Sequence, residues 1–340
     1  MYSFRNDYSD GGHPAILKAL TETANQQTDG YCEDRFCLEA ANLIRGYINA
    51  QDAAVHFIAG GTLTNLTAIS AFLRPHEAVI SAESGHIYVH ETGSVEATGH
   101  KVFPIQSANG KLRPEQIETV VAEHHFEHMV KPRLVYISQP TEMGTLYSKG
   151  ELSALRTCCD NNNLLLFADG ARLGSALTSN SGDTEFSDYA VLCDAFYIGG
   201  TKNGAIFGEA LVICNNELKA DFRYHMKQKG ALAAKGRILG IQFKRLFEDE
   251  LYLNLAAHAN MLADRLQRGI LDSGFEMLFK SSTNQIFPIF PESVIVELEK
   301  YFQFYRWEKL DDEKSVIRLV CSWNTDKKDV DRFLDTLGKL

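Results

Sequence analysis

The sequence lacks the features of membrane-spanning, secreted and nucleic-acid-binding proteins. No apolar run approaches the roughly 20 residues that span a bilayer, and no basic segment followed by an apolar one stands near Met1, so no secretory signal is predicted. Basic residues are also scarce: 34 Lys and Arg against 44 Asp and Glu give a net charge of -10, which argues against a nucleic-acid or anionic-membrane partner. The cysteines are seven scattered residues, an odd number that favours a reducing compartment. We therefore expect a cytoplasmic protein.

The remaining composition is that of a globular protein. Hydrophobic residues make up 45% of the 340 positions and charged residues 23%, with 25 Gly and 8 Pro. These fractions exclude collagen-like, disordered and disulfide-rich classes. The length predicts one large domain with a smaller one beside it.

Short β-branched or aromatic runs alternate with helical patterns along the first two thirds of the chain. Residues 54–59 have the pattern of a strand, and Leu63, Leu66 and Ile69 follow at helical spacing. The alternation predicts an α/β fold with about seven mostly parallel strands and helices on both faces of the sheet. One of the helices is predicted over residues 86–97.

In the last third of the chain a long amphipathic helix precedes short strand patterns, among them residues 285–289 and 302–307. This change of pattern predicts a smaller α+β domain. We place the large domain at residues 1–245, including an N-terminal segment of residues 1–15, and the small C-terminal domain at residues 246–340.

Three local patterns carry chemistry, and the first is Gly60-Gly61-Thr62 between a predicted strand and a predicted helix. Glycines let the backbone approach an anion, and a helix N-terminus offers unpaired N–H groups. The pattern fits a phosphate cradle. A plain strand–helix turn is the alternative.

The second pattern is Asp169, which follows the continuously apolar run of residues 164–168. Open α/β sheets bind ligands at the carboxyl ends of such buried strands. A carboxylate there needs a partner, because its burial alone is costly. A protonated pyridine nitrogen or the N-terminus of a helix capped by Asp169 would each serve.

The third pattern is Lys202, which lies between glycines just after another apolar strand, in the run of residues 198–204. A lysine that reacts through its neutral amine must be partly desolvated, which lowers its pKa. A surface-loop lysine is the alternative, but Lys202 follows Asp169 and Gly61 in order at predicted sheet ends. The three patterns together favour a reactive lysine.

Together with further motifs, these residues resemble the low-specificity threonine aldolase branch of the β-eliminating lyase/threonine aldolase family, within the fold-type-I pyridoxal-phosphate enzymes. The resemblance covers nearly the whole chain. Its matching residues are Phe4-Arg5-Asn6-Asp7, Asp29-Gly30-Tyr31, Glu33-Asp34, Gly61-Thr62, His86 with Glu91, Asp169-Gly170-Ala171-Arg172, Gly199-Gly200-Thr201-Lys202-Asn203-Gly204, Lys235 with Arg237, and Arg318 in a strand ending Cys321-Ser322-Trp323.

The resemblance implies pyridoxal 5'-phosphate as cofactor. Lys202 is implied to hold it covalently, Asp169 to keep its ring nitrogen protonated, and His86 to stack on its ring and act in catalysis. The remaining cofactor-binding residues implied by the resemblance are Gly61, Thr62, Arg172, Thr201 and Arg237, the last from the same or a neighbouring subunit.

The resemblance also implies the substrate side of the site. Arg318 is similar to the arginine that clamps the substrate carboxylate. Asn6 stands where the family has serine, and Glu142 where many members have histidine, so the general base stays open. The histidines at residues 124–128 do not match a zinc-protease pattern, and we predict no metal site.

The function implied is cleavage of the Cα–Cβ bond of L-threonine or L-allo-threonine to glycine and acetaldehyde. One alternative is a related lyase that acts on another β-hydroxy or aromatic amino acid. Another is an idle fold used for binding, against which intact Lys202, Asp169 and Arg318 argue. The resemblance further implies a homo-oligomer, a dimer of dimers, with the active site at the subunit interface.

Overall fold

The computed structural model describes residues 1–340, with fourteen strands and thirteen α-helices. The strands are β1 Tyr2–Ser3, β2 Ala54–Ile58, β3 Glu77–Ala82, β4 Val102–Ile105, β5 Lys131–Ser138, β6 Leu165–Asp169, β7 Ala195–Gly199, β8 Glu209–Ile213, β9 Glu276–Met277, β10 Gln285–Ile286, β11 Pro288–Pro291, β12 Phe302–Gln303, β13 Tyr305–Lys309 and β14 Lys314–Val320. The helices are α1 Pro14–Thr23, α2 Arg35–Tyr47, α3 Gly61–Phe72, α4 His86–Val89, α5 Pro114–Glu123, α6 Lys149–Asn161, α7 Leu173–Leu177, α8 Phe186–Leu192, α9 Phe222–Gln228, α10 Arg237–Phe247, α11 Leu251–Asp272, α12 Glu292–Leu298 and α13 Lys327–Leu337.

A seven-stranded sheet forms the centre of the fold, with the strand order β2-β8-β7-β6-β5-β3-β4. Strands β7, β6, β5, β3 and β4 are parallel to their neighbours within that group. Strand β8 runs antiparallel to both β2 and β7. The predicted α/β class and the mostly parallel sheet are therefore confirmed.

Both faces of the sheet are buried, as the apolar strand patterns indicate. In β6, Leu166 and Ala168 belong to a core of 40 residues on one face. Leu165 and Phe167 belong to a core of 20 residues on the other face. This alternation follows from the two-residue period of a strand, and it directs the side chain of Asp169 to the face of Phe167.

The C-terminal part of the chain forms a second, antiparallel sheet with the order β10-β14-β11-β9, to which β13 adds through β14. A third core of 18 residues lies on it and includes Phe4 from the N-terminal segment. Helix α11 belongs to two cores, because Leu255 packs in the largest core and Leu266 in the third. The predicted boundary between residues 245 and 246 falls in the last turn of α10 and stays a prediction.

Three predicted elements differ from the structure. The helix predicted over residues 86–97 ends at Val89, because Thr92 and Gly93 adopt positive φ angles of 53° and 71°, which a right-handed helix excludes. The strand predicted over residues 285–289 is divided before Pro288 into β10 and β11. The strand predicted over residues 302–307 is also divided, because β12 pairs with β1 whereas β13 pairs with β14. No helix has the length and apolar character needed to cross a bilayer.

Candidate active site

A cavity of about 360 Å³ opens where β2, β5, β6 and β7 end. An adjoining cavity of about 670 Å³ shares several lining residues with it and reaches Arg318. The predicted site residues that line the first cavity are Gly61, Thr62, His86, Glu142, Asp169, Arg172, Thr201 and Lys202.

Asp169 lies at the base of this cavity and is 4% exposed. Its carboxylate accepts hydrogen bonds from Tyr136 Oη, from Asn65 Nδ2 at 3.2 Å and from the backbone N–H of Ala171 at 3.0 Å. Burial by itself raises the pKa of Asp169, but the positive charge of His86 and these hydrogen bonds outweigh it and lower that pKa. Asp169 is therefore an anion, and it does not cap the helix that follows, whose N-cap position is Arg172 without a side-chain capping hydrogen bond.

Lys202 follows β7 by three residues and faces the same cavity. Burial and the guanidinium of Arg172 lower the pKa of its amine, against the opposing effect of the carboxylates of Asp7 and Asp169. The chain after β6 packs closely against β7 because Gly170 has no side chain: a Cβ there would lie 1.9 Å from Tyr197 O.

The N-terminus of α3 borders the cavity at Gly61 and Thr62. The first N–H bonded inside this helix is that of Thr64, which donates to Gly60 O at 2.9 Å, so the preceding N–H groups have no intrahelical acceptor. A Cβ on Gly61 would come within 3.2 Å of Tyr197 Oη. Glycine therefore lets this helix terminus pack against Tyr197, and its unpaired N–H groups are suited to an anion.

His86 is held by a buried acid. Its Nδ1 lies 2.7 Å from Glu91 Oε1, and because a carboxylate only accepts, Nδ1 keeps a proton and His86 gains or loses its second proton at Nε2. Burial lowers the pKa of His86, but Glu91 and Asp169 together raise it above its usual range. Asn65 Nδ2 donates to Glu91 at 2.7 Å as well as to Asp169, so one amide joins the two acids.

Glu142 contacts His86 through the backbone. Its Oε1 accepts from the N–H of His86 at 2.9 Å and from Ser138 Oγ at 2.6 Å. Burial raises the pKa of Glu142, and the charge of Asp169 raises it further. Glu142 therefore holds a proton more readily than an ordinary carboxylate.

The N-terminal segment closes one side of the site through Asp7. This buried carboxylate pairs with Arg172, with distances of 2.6 Å to Nε and 3.0 Å to Nη2, and accepts from Asn284 Nδ2 at 2.9 Å. Burial raises the pKa of Asp7, but Arg172 and Lys202 lower it overall. Arg172 is thereby oriented along the cavity wall.

Arg318 lies in the adjoining cavity between two aromatic rings. Its guanidinium carbon is 5.3 Å from the ring centre of Tyr305 and 5.2 Å from that of Trp307. Its Nη2 donates to Arg5 O at 3.3 Å, while the buried Nε has no partner. A half-buried guanidinium with an unused donor and no carboxylate partner is suited to an external anion.

Two predicted site residues lie outside both cavities. The side-chain oxygen of Asn6 accepts from Tyr8 N and Ser9 Oγ and so braces the N-terminal turn. Arg237, the first residue of α10, donates to Thr23 O at 2.8 Å and to Gln26 O. Their predicted roles therefore stay predictions.

Comparison with known proteins identifies the family. The sequence profile of the family described as beta-eliminating lyase matches residues 4–292. The chain belongs to that family. It is therefore a lyase, and the predicted resemblance is confirmed.

The relatives of this chain agree with that assignment. It is 32% identical to the low specificity L-threonine aldolase of Pseudomonas sp. (strain NCIMB 10558) over 95% of this chain and 93% of the relative. The solved structure of Leishmania major threonine aldolase is 48% identical, with a TM-score of 0.99, over 100% of this chain and 99% of that one. Aspartate aminotransferase from Thermus thermophilus, 14% identical with a TM-score of 0.74 over 100% of this chain and 91% of that one, shares the fold alone. The fold is that of the fold-type-I pyridoxal-phosphate enzymes.

The donor set of this lyase fits pyridoxal phosphate. Free N–H groups at α3 suit a phosphate, the anion Asp169 suits a protonated ring nitrogen, and the amine of Lys202 suits an aldehyde. These three features lie around one cavity of about 360 Å³.

Several residues of the site escape prediction from the sequence. Asn65 in α3 and Tyr136 in β5 bond to Asp169, Tyr197 in β7 and Glu209 at the start of β8 line the cavity, and no local motif marks any of them. Asp7 and Glu91 stand inside the motifs that carry the family resemblance, and that signal could have found them. The functions of all six residues depend on contacts with residues distant in sequence or, for Glu91, on a turn that local patterns do not predict.

Proposed function

We propose that this lyase is a pyridoxal-phosphate-dependent aldolase that cleaves the Cα–Cβ bond of L-threonine and L-allo-threonine, giving glycine and acetaldehyde. The observation that carries the proposal is the shared cavity of Lys202, Asp169 and His86, joined to the unpaired guanidinium of Arg318. The names of the relatives support the same substrate class.

In this proposal Lys202 holds the cofactor covalently and Asp169 holds the proton on its ring nitrogen. Gly61, Thr62 and Thr201 line the phosphate end of the cavity, and Arg172 lies along its wall. When bound there, pyridoxal phosphate supplies an electron sink for the negative charge left at Cα when a bond to Cα breaks.

Two side chains are suited to move the proton of the substrate β-hydroxyl. His86 can take or give a proton at Nε2, because Nδ1 is bonded to Glu91. Glu142 also lines both cavities, and its raised pKa makes it an effective proton acceptor. Both side chains line both cavities. The pH dependence of turnover in Glu142→Gln distinguishes them, because one titrating group disappears from the pH profile only if Glu142 itself moves the proton.

Arg318 is proposed to bind the substrate carboxylate. Arg318→Leu is expected to lower kcat/KM for L-threonine by about 10²–10³-fold, mostly through KM, because truncating one partner of a buried charge pair costs about 3–4 kcal/mol. Steady-state kinetics measure this. Arg332→Leu is the matched control, since Arg332 also stacks on a ring, that of Phe302 at 5.2 Å, but lines neither cavity. An unchanged KM in Arg318→Leu would contradict the assignment.

The substrate class is tested by a product screen. Purified protein with added cofactor is incubated with L-threonine, L-allo-threonine, phenylserine and serine, and glycine, aldehyde, pyruvate and ammonia are measured. Glycine with acetaldehyde from threonine supports the aldolase. Glycine with benzaldehyde alone, or pyruvate with ammonia from serine, would favour the related lyase, and no product with bound cofactor would favour the idle fold.

We also propose that the chain works as a homo-oligomer, a dimer of dimers with active sites at subunit interfaces, in the cytoplasm. The seven free cysteines suit a reducing compartment. Exposed aromatic side chains near the cavities, Tyr8 at 51% and Tyr88 at 48%, favour a covering subunit. Arg237 would then contact the phosphate of the neighbouring subunit, with Asn6 near the substrate.

Mixing two defective variants tests the shared site. Subunits with Lys202→Ala and subunits with Arg237→Ala are co-refolded, and activity is measured at limiting pyridoxal phosphate. In an equal mixture about half of the dimers are mixed, and one of the two sites in each of these is built only from intact residues, so about one quarter of the wild-type activity should return. Each variant refolded alone is the control. A monomeric, fully active wild type in ultracentrifugation would overturn the proposal.

A further inference from the structure

Glu209 is a buried acid without an ion-pair partner beside the reactive lysine. It begins β8, opposite Gly199 of β7 and Ile58 of β2, and is 4% exposed. Its Oε2 accepts from the N–H of Gly200 at 3.0 Å, and its Oε1 accepts from Thr201 Oγ1 at 2.8 Å. It therefore bonds the two residues immediately before Lys202.

These hydrogen bonds close a tight network. Thr201 Oγ1 donates to Glu209 and accepts from the N–H of Gly208 at 2.9 Å. Gly208 has a φ of 120°, a conformation that favours glycine. The turn that carries Lys202 is thus anchored to the carboxyl of Glu209 on one side and to the start of β8 on the other.

The carboxyl and the amine line the same cavity. Burial raises the pKa of Glu209 to about 8, with Thr201 and Lys202 opposing that rise. Burial also lowers the pKa of Lys202. Each group is costly to ionise alone, and the charge of each stabilises the charge of the other.

The other titratable groups that face Glu209 and Lys202 are acids, hydroxyls and one guanidinium. Asp169 and the hydroxyls of Tyr197 and Tyr252 lie around Glu209. Arg172 and the acids Asp7 and Asp169 act on Lys202. None of them forms an ion pair with Glu209. Lys202 is the positively charged group that lowers the pKa of Glu209.

We propose that Glu209 is the positioning residue and charge partner of Lys202: its carboxyl group holds Gly200 and Thr201, and so the turn that carries the amine, and when ionised it stabilises the Lys202 ammonium across the shared cavity. This role rests on the proposed function only in that Lys202 is the lysine that reacts.

The test uses the cofactor-free protein, so its readout does not depend on turnover. Lys202 is acetylated with acetic anhydride at a series of pH values, and the labelled fraction is measured by mass spectrometry. In Glu209→Gln the ammonium loses its counter-charge above pH 8, where Glu209 is ionised in the wild type, so labelling there should rise by about tenfold and this part of the curve should move to lower pH.

Glu77→Gln is the matched control. Glu77 is also buried, at 6% exposure, and accepts a backbone N–H, that of Arg74 at 2.9 Å, but it lines neither cavity. Its labelling curve should match the wild type. Identical curves for Glu209→Gln and Glu77→Gln would overturn the proposal.

Two further measurements keep the outcome decisive. If Glu209→Gln does not fold, Glu209→Asp, which withdraws the carboxylate by one methylene, should move the curve in the same direction by less, and no movement would overturn the proposal. In holoenzyme, the pH dependence of the visible absorbance should shift in Glu209→Gln. A shifted labelling curve in a protein that leaves threonine intact supports the role of Glu209 while the proposed function fails.

Discussion

Lys202→Ala is expected to remove the visible absorbance that pyridoxal phosphate acquires on this protein and to lower threonine cleavage by at least about 10²–10⁴-fold, the range that one proton-transferring side chain supplies. The reason is local. Burial and Arg172 lower the pKa of the Lys202 amine, so it is the lysine of the cavity able to react as a neutral nucleophile. Absorbance and steady-state rates measure both effects.

Borohydride identifies the residue. Reduction of wild-type holoenzyme should bleach the absorbance and fix the cofactor on Lys202, as peptide mass spectrometry would establish. Lys101→Ala is the control: Lys101 is exposed and lies 4.5 Å from the ring centre of Phe103, away from the cavities, so the variant should keep absorbance and rate. Label on any lysine other than Lys202 would refute the assignment.

The residues best predicted from the sequence stand in local patterns. Asp169 and Lys202 each follow an apolar strand and precede or adjoin glycines, and parallel strands bring their carboxyl ends to one edge of a sheet. The α/β class follows from the same alternation. These conclusions need no knowledge of strand order, because every such strand ends at the same edge.

What could not be predicted depends on contacts between distant segments. Glu209 reaches Thr201 because β8 runs antiparallel to β7 with Gly199 opposite Glu209, a register that no local pattern reveals. Glu91 is five residues from His86, so on a continuous helix the two side chains would point about 140° apart. The helix ends at Val89, and His90, with φ -117° and ψ 8°, departs from helical geometry and lets Glu91 reach back to His86.

The unpaired state of Arg318 is a third such case. The alternation of β14 predicts that Arg318 shares a face with Val316 and Val320. Whether an acid of its own domain meets that face depends on how β13 pairs, and β13 supplies Tyr305 and Trp307 instead. From the sequence alone, Arg318 could therefore form an ion pair within its own domain or bind an external anion, and the pairing of β13 with β14 decides between them.

Asp169→Asn is expected to reduce turnover by about 10²–10³-fold while the protein stays folded. The carboxylate is kept ionised despite burial by His86, by Tyr136 and by the N–H of Ala171, so it can hold a proton on the ring nitrogen of the cofactor. A neutral amide cannot. Removing one such preorganised electrostatic group costs about 2.7–4 kcal/mol of transition-state stabilisation.

The fold should survive because an amide occupies nearly the same volume and its oxygen still accepts from Ala171. Asp188→Asn is the matched control, since Asp188 is also buried, at 8% exposure, and accepts a backbone N–H, that of Glu185 at 2.8 Å, outside the cavities. Thermal unfolding of the cofactor-free variants checks the fold. Cofactor titration separates the two possible defects, since a weakened anchor raises the dissociation constant whereas lost ring protonation lowers kcat at saturating cofactor. If Asp169→Asn keeps kcat within about twofold of wild type at saturating cofactor, Asp169 does not hold that proton.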